Sequence, residues 1–153
     1  MSTQSNTTKT AAPSTNRTIF LATVFAAGVA IIANTIITLA GLAAGAAVQT
    51  PGHMPITGLY PAFYVALSIL GVLAGTVGWT LIGKYAKRPS RVLRVLVPVV
   101  WLLTLVPLIS TGAQSGTPAV WTSMVTLILV HTVTVIIAVL VFVRMLPVTG
   151  RSR

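Results

Sequence analysis

No aspartate, glutamate or cysteine occurs anywhere among the 153 residues of this chain. Without carboxylate side chains there is no carboxylate general base, no paired acid and base for hydrolysis, and no cage of acidic oxygens for a hard cation. Without cysteine there are no disulfides, thiolate metal sites, iron–sulfur clusters or lipidated thiols, and the redox compartment cannot be read. Charged residues of any kind make up only 7% of the chain, against 55% hydrophobic residues. A monomeric soluble domain could not keep that much apolar surface out of water, so the composition points to a lipid bilayer.

What charge remains is all positive, a net +10 confined to three short stretches: Lys9 and Arg17, then Lys84, Lys87, Arg88, Arg91 and Arg94, then Arg144, Arg151 and Arg153. Half of these cations lie in one segment clamped between apolar runs, where no DNA- or RNA-reading module fits. Nucleic acid is therefore excluded as a partner. Four apolar runs, at about 18–42, 60–83, 92–109 and 119–146, are each long enough to cross a hydrocarbon core of about 30 Å. Isolated strands in lipid would leave backbone groups unpaired, so all four are read as helices. The expected fold is all-α, a four-helix transmembrane bundle.

An even number of spans returns the chain to its starting side, and short loops rich in Lys and Arg stay in the cytoplasm. Both termini and the 84–94 segment are thus expected there. Residues 1–17, rich in Ser, Thr and Asn, read as a disordered tail; 18–146 as the transmembrane domain; 147–153 as a short basic tail. The first run also has the layout of a signal peptide, with Ala44-Gly45-Ala46 downstream as a cleavage sequence, but its apolar core exceeds the usual length for one. The two outer connections, Ala43 to Leu59 and Ser110 to Pro118, carry no charge. Pro51-Gly52 and Pro55 break the first, and each connection contains a Thr-Pro pair, Thr50-Pro51 and Thr117-Pro118.

Several features could carry function. The inner segment KYAKRPSRVLR brings Lys84, Lys87, Arg88, Arg91 and Arg94 to the headgroups of an anionic leaflet or to an acidic partner, beyond its role in fixing orientation. Arg94 lies about one turn inside the third span, from which its long stem can snorkel outward. Ser68, Gly71, Gly75 and Gly78 recur at helical spacing in the second span and form a face on which two backbones can approach closely, within one subunit or between copies. Trp79 and Tyr85 follow as aromatic anchors at the inner interface.

Asn34 and His131 stand out as strongly polar side chains inside spans, at depths that would allow a hydrogen bond between them. A neutral His bonded to Asn or Thr is ordinary interhelical adhesion, whereas a wet cavity would make it a proton-exchanging group. Ser68 is placed nearer the outer face than His131, which argues against a Ser-His nucleophile pair. His53 lies in the outer loop, too far in depth to share a metal with His131. No catalytic, cofactor or metal site is expected. Pro98 and Pro107 in the third span each remove a backbone donor and invite a bend.

Four spans, a basic inner loop, Gly78-Trp79 at the end of the second span and Leu129-Val130-His131 in the fourth together resemble a group of small membrane proteins from high-GC Gram-positive bacteria whose function is unassigned. The resemblance covers roughly residues 18 to 146. It implies a four-helix architecture in a bacterial cell membrane and transfers no activity. Small multidrug transporters also have four spans, but the first span here has no Glu to couple protons to a cationic drug.

The expected function is that of a non-enzymatic accessory or scaffold subunit, acting through helix packing and anionic-lipid contact, alone as a homo-oligomer or beside another membrane protein. The alternative is a small oligomeric pore or carrier with a polar path near Asn34 and His131, joined by Thr38 and Thr134. An acid-free lumen would suit water, a neutral solute or an anion rather than a cation.

Overall fold

The computed structural model describes residues 16–46, 61–113 and 118–148, less the side chains of 61–63, 107, 108 and 110–113. The expected tail before residue 16, residues 47–59 of the first outer connection, 114–117 of the second and the tail beyond residue 148 lie outside them. Four helices form: α1 (Asn16–Ala43), α2 (Pro61–Tyr85), α3 (Pro89–Ala113) and α4 (Pro118–Met145). All four are long and apolar enough to cross a membrane, which suits a multi-pass membrane protein.

Helix boundaries follow from local chemistry. Three of the helices open on proline, whose fixed φ and missing N–H suit a first turn where no intrahelical bond would form. Pro89 consequently starts α3 earlier than the run at 92, and the connection from α2 shrinks to Ala86, Lys87 and Arg88. The expected inner loop is thus mostly helical: Lys84 sits in the last turn of α2, and Arg91 and Arg94 in the first turns of α3. The carbonyl of Arg88 accepts from the amides of Arg91 and Val92. At its far end α3 continues through Pro98 and Pro107 to Ala113, past the expected end at 109.

Gly45 terminates α1 with φ of 90°, a conformation open to glycine at no steric cost. Around it the Ala46 amide donates to the Gly41 carbonyl and the Gly45 amide to the Leu42 carbonyl. This paired closure satisfies carbonyls that the helix end would otherwise leave bare. The Ala-Gly-Ala sequence is therefore a helix cap in the folded chain.

Polar pairs fix the packing. Thr23 meets Thr76 and Asn34 meets Ser68, so α1 and α2 run antiparallel. Asn34 also meets Thr134 and Gly41 lies against Thr126, so α4 runs antiparallel to α1, and Trp101 meets Thr132, setting α3 against α4. α1 and α4 form the most extensive pair, and α3 packs chiefly on α4. Alternating helix direction gathers Arg17, Lys84, Lys87, Arg88, Arg91, Arg94 and Arg144 at one end of the bundle.

The core inverts the usual soluble pattern. Large apolar side chains such as Phe20, Phe25, Ile32, Ile36 and Leu39 face outward along α1, while its buried face carries Ala22, Ala26, Ala30, Asn34, Thr38 and Gly41. Lipid tails are as apolar as leucine, so nothing drives bulky side chains inward, and close backbone approach with interhelical hydrogen bonds holds the bundle instead. At the basic end Val72, Trp79, Leu93, Phe142 and Leu146 cluster on Ala22 and Ala26, and in the other half Tyr64, Leu105, Val120, Met124 and Leu127 are buried as well. Trp79 is buried within the basic-end cluster. Its ring lies 5.7 Å from that of Phe142, and its Nε1 donates to the Leu146 carbonyl at 3.0 Å.

Candidate functional site

Asn34 is completely buried and sits at the meeting point of three helices. Its Nδ2 donates to Ser68 Oγ on α2 at 2.9 Å and to Thr134 Oγ1 on α4 at 2.8 Å. The Thr134 hydroxyl gives its own proton to the Val130 carbonyl, so its oxygen can only accept from Asn34. That requirement fixes the orientation of the amide and turns Oδ1 the other way. Oδ1 is buried with no hydrogen-bond partner among the described residues, and so is Thr38 Oγ1, one turn further along the same face of α1.

Two further ties join α1 to α2. Toward the outer end, the Thr35 hydroxyl donates to the Ile31 carbonyl, which leaves Tyr64 Oη to donate to Thr35 Oγ1 at 3.1 Å. Toward the basic end, Thr23 Oγ1 and Thr76 Oγ1 lie 3.0 Å apart, and each also reaches the carbonyl one turn back, Ile19 and Val72 respectively. Two protons thus serve three contacts there, and either hydroxyl can bridge the helices.

His131 does not join this network. Asn34 spends both amide protons on Ser68 and Thr134, and the His131 Nδ1 lies 3.1 Å from the Leu127 carbonyl of its own helix. A carbonyl only accepts, so Nδ1 carries the proton in that contact and a neutral ring presents its lone pair at Nε2. The reason is register. Ser68 and Thr134 share one level through Asn34, and three residues back along α4 places His131 about 4.5 Å further outward and turned to another side. His131 therefore lies outward of Ser68, the reverse of the depth order expected for them.

The small residues of α2 divide. Ser68 is buried, and a Cβ on Gly75 would lie 3.5 Å from Phe142. Gly71 and Gly78, in contrast, would meet no described atom within 4 Å. The inward face of α2 is Tyr64, Ser68, Val72, Thr76 and Trp79, and the glycines trail along its flank because steps of three and four residues drift around the helix. Sequence reasoning passed over the stripe that is closed: Ala22, Ala26, Ala30, Asn34 and Thr38 at every fourth position of α1, ending at Gly41. The fourfold spacing was the available signal, masked by an alanine-rich background. At Gly41 the side chain of Thr126 fills the space that any Cβ would need.

At the basic end Arg91 and Arg94 are exposed, and Lys84 lies over the Tyr85 ring at 5.4 Å from its centroid. A cleft of about 570 Å³ opens between α3 and α4, and Trp79 of α2 and Arg94 are among the residues that line it. Among the described residues there is no cluster of side chains able to hold a metal ion. No known family model, curated protein or solved structure matches the chain.

Proposed function

We propose that this chain is a non-enzymatic integral membrane subunit of a bacterial cell membrane, acting as a scaffold or accessory protein through helix packing. Its basic end faces the cytoplasm and rests on the anionic inner leaflet. The supporting observation is the contrast between a bundle whose central hydrogen bonds run from one of its own helices to another and an α2 flank at Gly71 and Gly78 that the fold leaves open. A second transmembrane helix, from another copy or another membrane protein, can approach that flank backbone to backbone.

Cross-linking in native membranes and sizing in a mild detergent test this reading. A dimer, a higher oligomer or a co-purifying membrane protein is expected, released when Gly71 and Gly78 are both replaced by Leu. A chain that is monomeric and unaccompanied in both settings would sink it.

One observation favours a second reading. Asn34 Oδ1 and Thr38 Oγ1 are buried and unpartnered among the described residues, and such a pair is where water or a neutral solute could be held within a pore or carrier. Liposome flux of water, a neutral solute and an anion, compared between the native chain and the Asn34→Val and His131→Ala variants, decides it. Flux equal to that of empty liposomes removes the transport reading.

A further inference from the structure

We infer that the cleft between α3 and α4 at the basic end is a binding site for one anionic phospholipid, its phosphate on Arg94 and an acyl chain along the apolar wall. The inference rests on the placement of the basic end at the anionic leaflet and adds to it a discrete, stoichiometric site.

The cleft has the form of an amphiphile site. Its volume of about 570 Å³ falls within the range of roughly 300 to 1,000 Å³ usual for small-molecule pockets. Val97 and Pro98 of α3, Val139 and Val143 of α4 and Trp79 line it, so its walls are largely apolar. Ser90 and Arg94 bring polar groups to the cleft. From Ser90 to Pro98 the wall runs about 12 Å along α3, enough for the upper part of an acyl chain.

Charge decides which amphiphile. Arg94 is exposed in the first turns of α3, where its long stem can carry the charge to headgroup depth. This chain has no Asp or Glu with which to pair it. No acidic side chain of the chain can therefore neutralise Arg94, and its planar guanidinium, within the first two turns of α3, is suited to paired hydrogen bonds with a phosphodiester at headgroup depth. A zwitterionic lipid would bring its own cation into a region that already holds Lys84, Lys87, Arg88 and Arg91, so an anionic headgroup is preferred.

Lipids with brominated acyl chains test the site through Trp79 fluorescence in the full chain carrying Trp101→Phe and Trp121→Phe. The protein is reconstituted into phosphatidylcholine vesicles in which the brominated minority lipid is either phosphatidylglycerol or phosphatidylcholine. Brominated phosphatidylglycerol is expected to quench Trp79 with about fivefold preference, the scale of one basic side chain at an anionic surface. Arg94→Gln should bring the ratio to about one, Arg94→Lys should keep most of it, and Val143→Phe, which narrows the cleft and leaves every charge in place, should abolish it.

Equal quenching by the two lipids in the unsubstituted cleft overturns the proposal. So does a preference that survives both Arg94→Gln and Val143→Phe. If the preference instead disappears on Lys87→Gln with Arg88→Gln and persists in Arg94→Gln, the basic end holds lipid diffusely, and the broader membrane reading stands while the cleft site falls. A preference erased by inorganic phosphate identifies a free-anion site and likewise overturns the lipid assignment.

Discussion

Along α1, small residues at every fourth position meet the rest of the bundle and are sealed, whereas along α2 the glycines at 71 and 78 look onto open space. By composition the two runs are alike, and α2, with its glycines, is the better candidate for a packing face. The difference lies in what stands opposite. On α1 the alanines lead to Asn34 and Gly41, where α4 supplies Thr134 as a hydrogen-bond acceptor and Thr126 as a side chain seated against bare backbone. On α2 the inward face is set by Ser68 and Thr76, each with a hydroxyl or amide partner on α1, and by Trp79, which packs near Phe142 of α4 and donates to the Leu146 carbonyl just past that helix; the glycines fall to one side. In lipid, a small-residue stripe permits close approach, and polar pairs decide whether it happens.

The sharpest way to break this comparison is to place a side chain where α1 has none. Gly41→Leu would force Thr126 and its helix away, and overpacking of this kind costs about 1–3 kcal/mol or more. A marked fall in thermal unfolding temperature in detergent is expected, partly restored when Thr126→Ala is added. Gly28→Leu on the same helix, where no described atom lies within 4 Å, should leave the temperature nearly unchanged. Equal losses for the two variants would show that α1 does not pack on α4 through Gly41.

Asn34→Ala sharpens the comparison at the polar node. It removes both donations that tie α1 to α2 and α4, and interhelical hydrogen bonds in membranes average about 0.6 kcal/mol each. Deleting the unpartnered Oδ1 offsets part of that loss. A net destabilisation of about 1 kcal/mol is expected by unfolding in mixed micelles, with double-mutant cycles showing coupling of Asn34 to Thr134 and none to His131. Coupling to His131 comparable with that to Thr134 would contradict the register.

How far the sequence made this legible depends on the kind of signal. The four spans were readable because length and apolar content alone mark them; Pro61, Pro89 and Pro118 set three of the starts, with Pro89 opening α3 three residues before the apolar run, and α3 continues past the expected end at 109 to Ala113. Asn34 was readable as an outlier in an apolar run. Its partners were not, because hydroxyls are scattered over all four helices and only the register selects Ser68 and Thr134. Helix order was unreadable too: helices that are apolar all round carry little amphipathic direction, so no periodicity says which neighbours which. His131 drew attention for its chemistry, yet its ring contact is with its own backbone.

The smallest expected effect carries the most information about assembly. Gly71→Leu meets no described atom in the bundle, and in an exposed helical position leucine is a better helix former than glycine by up to about 1 kcal/mol. Unfolding of the single chain should therefore be unaffected or slightly delayed, measured in a detergent that holds the protein as a monomer. Under conditions where copies or partners associate, the same side chain blocks backbone approach along α2 and should weaken association. A variant that unfolds as readily as Gly41→Leu would mean that the flank of α2 is engaged within the subunit, and α1 and α2 would no longer differ. If it leaves folding intact while dissociating the assembly, the two stripes are separated by role: α1 closes the subunit, and α2 remains for whatever stands beside it.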